Sequence, residues 1–184
     1  MATVVVPFRG ETAKQRLAPA PEDVRTALAQ AMFEDVLAAA EPVGAVVVAD
    51  EPGGQGHAVE GALRRLESGP VLVVNADLPG ARARDLLTLL GALPEGGIAL
   101  VEAADGTTNA LALASPHLFA PLYGEDSAER FLARAERLGV PAVLAAIPNL
   151  ADDVDTLADL ERLEDRLGSR TAAALDALRT GLSR

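Results

Sequence analysis

Cysteine is absent from the 184 residues, and that absence removes disulfides, thiolate nucleophiles, zinc ribbons and iron–sulfur clusters together. Any metal must then be held mainly by oxygen. Basic charge is also scarce: 16 lysines and arginines stand against 27 acidic residues, a formal net charge of −11. Tight binding to nucleic-acid backbones or anionic lipid depends on basic clusters that release counterions, so neither partner is expected. Lysine occurs once, at Lys14, in a chain whose other basic residues are all arginine. Lys14 is therefore either a chance surface residue or a functional one. Apolar runs of bilayer length are missing too, and Ala2 to Val6 is too short and lacks the basic flank of a secretion signal. The expectation is a cytoplasmic protein that binds neither membrane nor nucleic acid.

Hydrophobic residues make up 49% of the chain, enough for one domain, residues 1–184, with a proper core. Short apolar runs recur between helical patterns, which predicts an α/β fold: three layers, with a mostly parallel twisted sheet covered by helices on both faces. Strands are expected at Thr3–Val6, Ala45–Ala49, Val71–Asn75, Ile98–Val101, Ala110–Ala114 and Ala142–Ile147. Each is nearly all apolar, as strands buried on both faces require. Pro21 marks a helix start before Val24 to Ala40, and Asp126 with Glu129 reads as a capping box before Phe131 to Leu138. Thr156 with Asp159 caps a helix running to about Leu167, and a last helix covers roughly Thr171 to Leu182. Its apolar stripe (Ala174, Leu175, Leu178, Leu182) packs on the sheet or permits a homodimer.

In such sheets ligands sit beyond the carboxyl ends of the strands. The loop after the first strand holds three cations, Arg9, Lys14 and Arg16; later loops hold Asn75 and Asp77, Asp105 to Asn109, and Asp152 to Asp155. Cations on one loop and carboxylates on others make a divided site that suits a triphosphate with its metal. Nucleotidyl transfer needs charge neutralisation and alignment more than a protein nucleophile, so the lack of cysteine is no obstacle. In an extended segment alternate side chains share a face, which lets Asp153 and Asp155 point at one ion while Val154 points into the core and Asp152 faces away. Asp77 follows a buried strand, where a carboxylate is costly to desolvate unless paired or metal-bound. Magnesium, which takes oxygen ligands and is usually shared with substrate phosphates, is the natural ion. The plainer alternatives are a helix-capping turn for Asp153 and Asp155 and an ordinary turn before Pro79 for Asp77. Gly53 to Val59 is a glycine-rich turn entering a helix; Gln55 and Gly56 there could approach a base or phosphate, and His57 reads as a capping or surface histidine. Gly124 to Ser127 opens a helix whose N–H groups could hold an anion, with a plain cap as the alternative. Arg130, Arg134 and Arg137 share one helix face and read as solvated, and His117 as surface.

The order of these motifs resembles the guanylyltransferases of deazaflavin coenzyme F-420 biosynthesis, the CofC/FbiD family, acting on 2-phospho-L-lactate or phosphoenolpyruvate. The resemblance is carried by Ala13-Lys14-Gln15-Arg16-Leu17-Ala18-Pro19, Asn75-Ala76-Asp77-Leu78-Pro79, Gly106-Thr107-Thr108-Asn109-Ala110-Leu111, Tyr123-Gly124-Glu125-Asp126-Ser127 and Asp153-Val154-Asp155-Thr156. It departs from the family's usual pattern at Arg9, at Asp105-Gly106-Thr107, and in a short segment between Gly44 and Gly69. The resemblance implies a fold like that of molybdenum-cofactor guanylyltransferases and magnesium at Asp77, Asp153 and Asp155. It implies a nucleotide site for GTP at Arg9, Lys14, Arg16, Gln55, Gly56, Asn75 and Asp77, in which Lys14, Arg16 and Asp77 are catalytic. Thr107, Thr108, Asn109, Gly124 and Ser127 would contact the phosphorylated acid. A same-fold transferase with a molybdopterin or sugar-phosphate acceptor, and a silent nucleotide-binding domain, remain the alternatives.

Overall fold

The computed structural model describes residues 2–8, 17 and 20–182. Six strands, β1 (Ala2–Pro7), β2 (Gly44–Ala49), β3 (Val71–Val74), β4 (Ile98–Glu102), β5 (Thr108–Leu113) and β6 (Ala142–Leu144), form one sheet in the order β2-β1-β3-β5-β4-β6. Helices α1 (Glu22–Ala40), α2 (Gln55–Leu63), α3 (Ala83–Ala92), α4 (Ser127–Leu138), α5 (Pro148–Ala151), α6 (Leu157–Arg162) and α7 (Ser169–Leu182) connect and cover it. All six expected strands are present, with ends shifted by a few residues. The sheet is mixed: β5 runs antiparallel to both β3 and β4, whereas β1 pairs in parallel with β2 and β3, and β4 with β6.

Alternation along the buried strands divides the core into two layers. Val4, Val6, Leu72, Val74, Ala99 and Val101 pack with Phe33, Val36, Leu86 and Leu89 of α1 and α3. Their neighbours Val5, Val71, Val73, Ile98 and Leu100 point the other way, against Val59 and Leu63 of α2 and Phe131 of α4. Each fully buried Val, Leu or Phe contributes roughly 1.5–3 kcal/mol, which stabilises the central strands that have no polar face; the edge strands β2 and β6, expected to be buried on both faces, are instead partly exposed. A third, smaller cluster joins Leu28 and Met32 of α1 to Val154, Leu160, Leu163 and Leu175. Leu175 is buried in that cluster and Ala174 and Leu178 pack against it, so α7 uses its apolar stripe within the chain, against α1.

Two local expectations are corrected. Asp126 and Glu129 do not form a capping box: Asp126 takes a left-handed conformation (φ 52°) and makes no side-chain capping bond, while Ser127 N–H donates to Gly124 C=O. The helix capped by Thr156 and Asp159 ends at Arg162, and a short 3-10 turn, Glu164–Arg166, replaces its last turn. The capping box itself is formed, with Thr156 N–H donating to Asp159 and Asp159 N–H to Thr156 Oγ1.

Candidate active site

The strand directions bring the polar loops to one rim. β1, β2 and β3 end there, and β5, because it is reversed, begins there. Asn75, just past β3, thus lies opposite Asn109, and its N–H donates to the Asn109 carbonyl at 3.0 Å. Asp77 follows on the same loop. The Asp152–Asp155 segment comes to it after α5 and is pinned by a bond from Val154 N–H to the Asp77 carbonyl (3.0 Å). Val154 is fully buried, and Asp152 turns outward to accept from Arg162 (2.9 Å) and Arg166 (2.6 Å). The alternation expected for this segment is therefore realised.

Asp77, Asp153 and Asp155 converge. Each offers a carboxylate oxygen, and these three atoms lie within 4.8 Å of one another at half-buried positions. Burial pushes the Asp153 carboxyl above the ordinary aspartate range, and the neighbouring charges of Asp77 and Asp155 push it the same way, against a hydrogen bond from Asn109. Three oxygen donors that repel one another when bare fit a hard divalent cation, and the cluster could hold one.

Two cavities meet at this cluster. One, of about 250 Å³, is mainly apolar, lined among others by Phe8, Met32, Ala49 and Ala58; Phe8 stacks flat on Phe33 with ring centroids 4.0 Å apart. The other, of about 370 Å³, is lined by polar residues: Asp105, Thr107, Thr108, Asn109, Tyr123, Gly124, Glu125 and Ser127. Gln55, Asn75 and Asp77 border both. Gly56 sits against Pro121, where an added Cβ would lie 2.8 Å from the proline Cβ, and its part in any nucleotide contact is through backbone.

In the polar cavity Ser127 is fully buried; its Oγ accepts from Thr108 N–H (2.8 Å) and donates to Thr108 Oγ1 (3.2 Å). Thr107 closes a turn by donating its N–H and hydroxyl to Asp105. Gly124 has φ 112°, a conformation that glycine alone adopts readily, and Arg130 donates to the Glu125 carbonyl beside it. Arg134 is not solvated as expected: it donates to the carbonyls of Leu118 and Phe119. Phe8 borders the apolar cavity without having been singled out in the sequence, and Tyr123, named there only within a motif and given no role, lines the polar one. Tyr123 packs edge-on to Phe131, and burial raises its hydroxyl well above the usual tyrosine range. Nothing in a single aromatic letter marks which cavity it will line. His57 is exposed, and Arg9, Lys14 and Arg16 lie outside the described residues.

A sheet with this order, carrying carboxylates and two adjoining cavities on the rim where its strands end, defines an α/β nucleotidyltransferase architecture. The chain belongs to the MobA-like NTP transferase family, whose sequence profile matches residues 5–138. Over nearly its whole length it is also similar to phosphoenolpyruvate guanylyltransferases. That of Sphaerobacter thermophilus is 38% identical, with 89% of this chain and 93% of the relative aligned. Those of Streptomyces coelicolor (35%; 93% and 94%) and Conexibacter woesei (36%; 90% and 88%) match to a like extent. Among solved structures, a Desulfovibrio desulfuricans protein described as a nucleotide-diphospho-sugar transferase superposes with TM-score 0.73 at 16% identity, over 98% of this chain and 96% of that one. The 2-C-methyl-D-erythritol 4-phosphate cytidylyltransferase of Thermus thermophilus gives 0.58 at 17%, over 94% and 98%. These structural likenesses establish the fold. The family profile stops at residue 138, so Asp153 and Asp155 come from the segment beyond it.

Proposed function

We propose that this protein is a magnesium-dependent guanylyltransferase that moves GMP from GTP onto phosphoenolpyruvate or 2-phospho-L-lactate, releasing pyrophosphate, in the cytoplasmic synthesis of coenzyme F-420. The observation that carries this reading is the convergence of Asp77, Asp153 and Asp155 where the apolar and polar cavities meet. The relatives named phosphoenolpyruvate guanylyltransferases supply the substrate class.

The apolar cavity takes the nucleoside, with Gln55 and Asn75 along its edge. The polar cavity takes the phosphorylated acid beside Thr107, Thr108, Gly124 and Ser127. An acceptor phosphate oxygen attacks the α-phosphorus of GTP, the bond from that phosphorus to the bridging β-phosphate oxygen breaks, and pyrophosphate carries away the electron pair. An acceptor phosphate is already ionised near neutral pH, so no general base is required. Bringing the two anions together in one frame is the main contribution of the protein. Asp77, Asp153 and Asp155 would hold the magnesium, which would supply positive charge to screen the phosphate oxygens. Arg9, Lys14 and Arg16 of the first loop supply the positive charge for the triphosphate.

Pyrophosphate release is the decisive assay. GTP, magnesium and phosphoenolpyruvate or 2-phospholactate are expected to give pyrophosphate and a guanosine diphosphate-linked acid by mass, with ATP, CTP, 3-phosphoglycerate and sugar phosphates giving little. Asp77→Asn and Asp155→Asn should lose nearly all turnover while keeping the circular-dichroism spectrum. Full activity in both variants would overturn the metal assignment, and turnover of a sugar phosphate alone would overturn the acceptor.

A further inference from the structure

We infer that Asn109 is a positioning residue for the metal carboxylate Asp153, not a contact to the acceptor, and that it forms the last link of a directed amide chain from Gln55; this rests on the proposed metal site. Asn109 is 1% exposed. Its Nδ2 donates to the Ala151 carbonyl (3.2 Å) and to Asp153 Oδ1 (3.4 Å), and its Oδ1 accepts from Asn75 Nδ2 (3.3 Å). Asn75 Oδ1 in turn accepts from Gln55 Nε2 at 2.6 Å, and Asn75 Nδ2 also reaches the Thr108 carbonyl (3.3 Å).

The orientation of every amide in this chain follows from its far end. A carbonyl and a carboxylate can only accept, so the Asn109 amide must turn its NH₂ toward Ala151 and Asp153. Its oxygen is then left facing Asn75, which must answer with its own NH₂, and the same logic passes to Gln55. All donors run toward the anion. Such a chain polarises in one sense and strengthens its last bond. With both amide hydrogens engaged inside the protein, Asn109 has no side-chain donor left for an anionic acceptor, although it borders the polar cavity.

Groups that hydrogen-bond a metal ligand typically change metal affinity by about 10–100-fold when removed. The test is a titration of the substrate-free protein with Mn²⁺, reading free Mn²⁺ by electron paramagnetic resonance, on wild type, Asp153→Asn, Asn109→Ala and Asn75→Ala. Asn109→Ala is expected to weaken Mn²⁺ binding about tenfold and Asn75→Ala less in the same direction, and the acceptor KM of Asn109→Ala at saturating metal should stay within about twofold of wild type because its amide hydrogens are already engaged inside the protein. Should Asn109→Ala fail to fold, the half-buried Asn75→Ala decides alone. A raised acceptor KM with unchanged Mn²⁺ affinity would overturn the inference. Binding that Asp153→Asn abolishes but neither asparagine variant alters would overturn it while leaving the metal site standing; no Mn²⁺ binding by wild type would overturn both.

Discussion

Replacing Asp153 by asparagine should make the metal-free protein more stable while removing its response to magnesium. Its carboxylate oxygen lies within 4.8 Å of oxygens on Asp77 and Asp155. At that separation one pair of unit charges repels by about 1 kcal/mol in water and about 3.5 kcal/mol at an effective dielectric of 20. The site is half-buried, so solvent screening pulls the net relief toward about 1–3 kcal/mol for both neighbours together. The substitution is nearly isosteric, and an asparagine carbonyl at position 153 still accepts the bond from Asn109. For a domain of this size each kcal/mol moves Tm by about 2–4 °C, so the Asp153→Asn protein in EDTA should melt roughly 2–12 °C above wild type. Magnesium at about a hundred times its Kd would then raise the wild type by about 2.7 kcal/mol and leave the variant nearly unmoved. Differential scanning fluorimetry with and without the ion measures both shifts. A variant that melts below wild type in EDTA, or that gains the same increment from magnesium, would refute the electrostatic argument.

Two more perturbations follow from other parts of the chain. Because Asp153 titrates above the ordinary aspartate range in the folded state, the native protein holds more protons there than the unfolded chain does between the two values. Metal-free stability should therefore fall as pH rises through that window, with a flatter profile in Asp153→Asn; urea midpoints measured from the ordinary aspartate range upward report it. Asp35, buried on α1, accepts from the backbone N–H groups of Arg170 (3.1 Å) and Thr171 (2.8 Å) and from the Thr171 hydroxyl (2.7 Å), capping α7 from another helix. Asp35→Ala strands those donors and should cost about 2–4 kcal/mol, read as a lowered urea midpoint with α7 amides exchanging first; an unchanged midpoint would show that α7 does not depend on this cap.

Much of the fold was legible because buried strands leave no polar face. The runs at Val71, Ile98 and Ala110 are apolar whichever way they point. For the same reason the reversal of β5 was not legible: an apolar run carries no mark of direction, and only its pairing with β3 and β4 reveals it. The Asp152–Asp155 segment was readable to the residue, since a period of two dictates which carboxylates share a face. Asn109 was placed in the right motif, but its hydrogen bonds to Asn75 and Asp153 were not legible, because those partners are 34 and 44 residues away. The left-handed Asp126 escaped for a different cause. Its sequence fits a capping box, and the pull of Gly124 and the Thr108–Ser127 contact wins over that local preference.

The reversal of β5 also separates duties between the two ends of the sheet. Its first residues share a rim with Asn75 and Asp77, while its last, Leu113, pairs with Val71 and Ile98 at the opposite one. Among the described residues that opposite end carries connectors such as the exposed segments at Glu67–Ser68 and Glu95–Gly96. Evolution or an engineer can splice extra sequence, a fluorophore or a tether into those segments without trespassing on the chemistry, whereas lengthening any loop at the working end alters the reaction vessel itself.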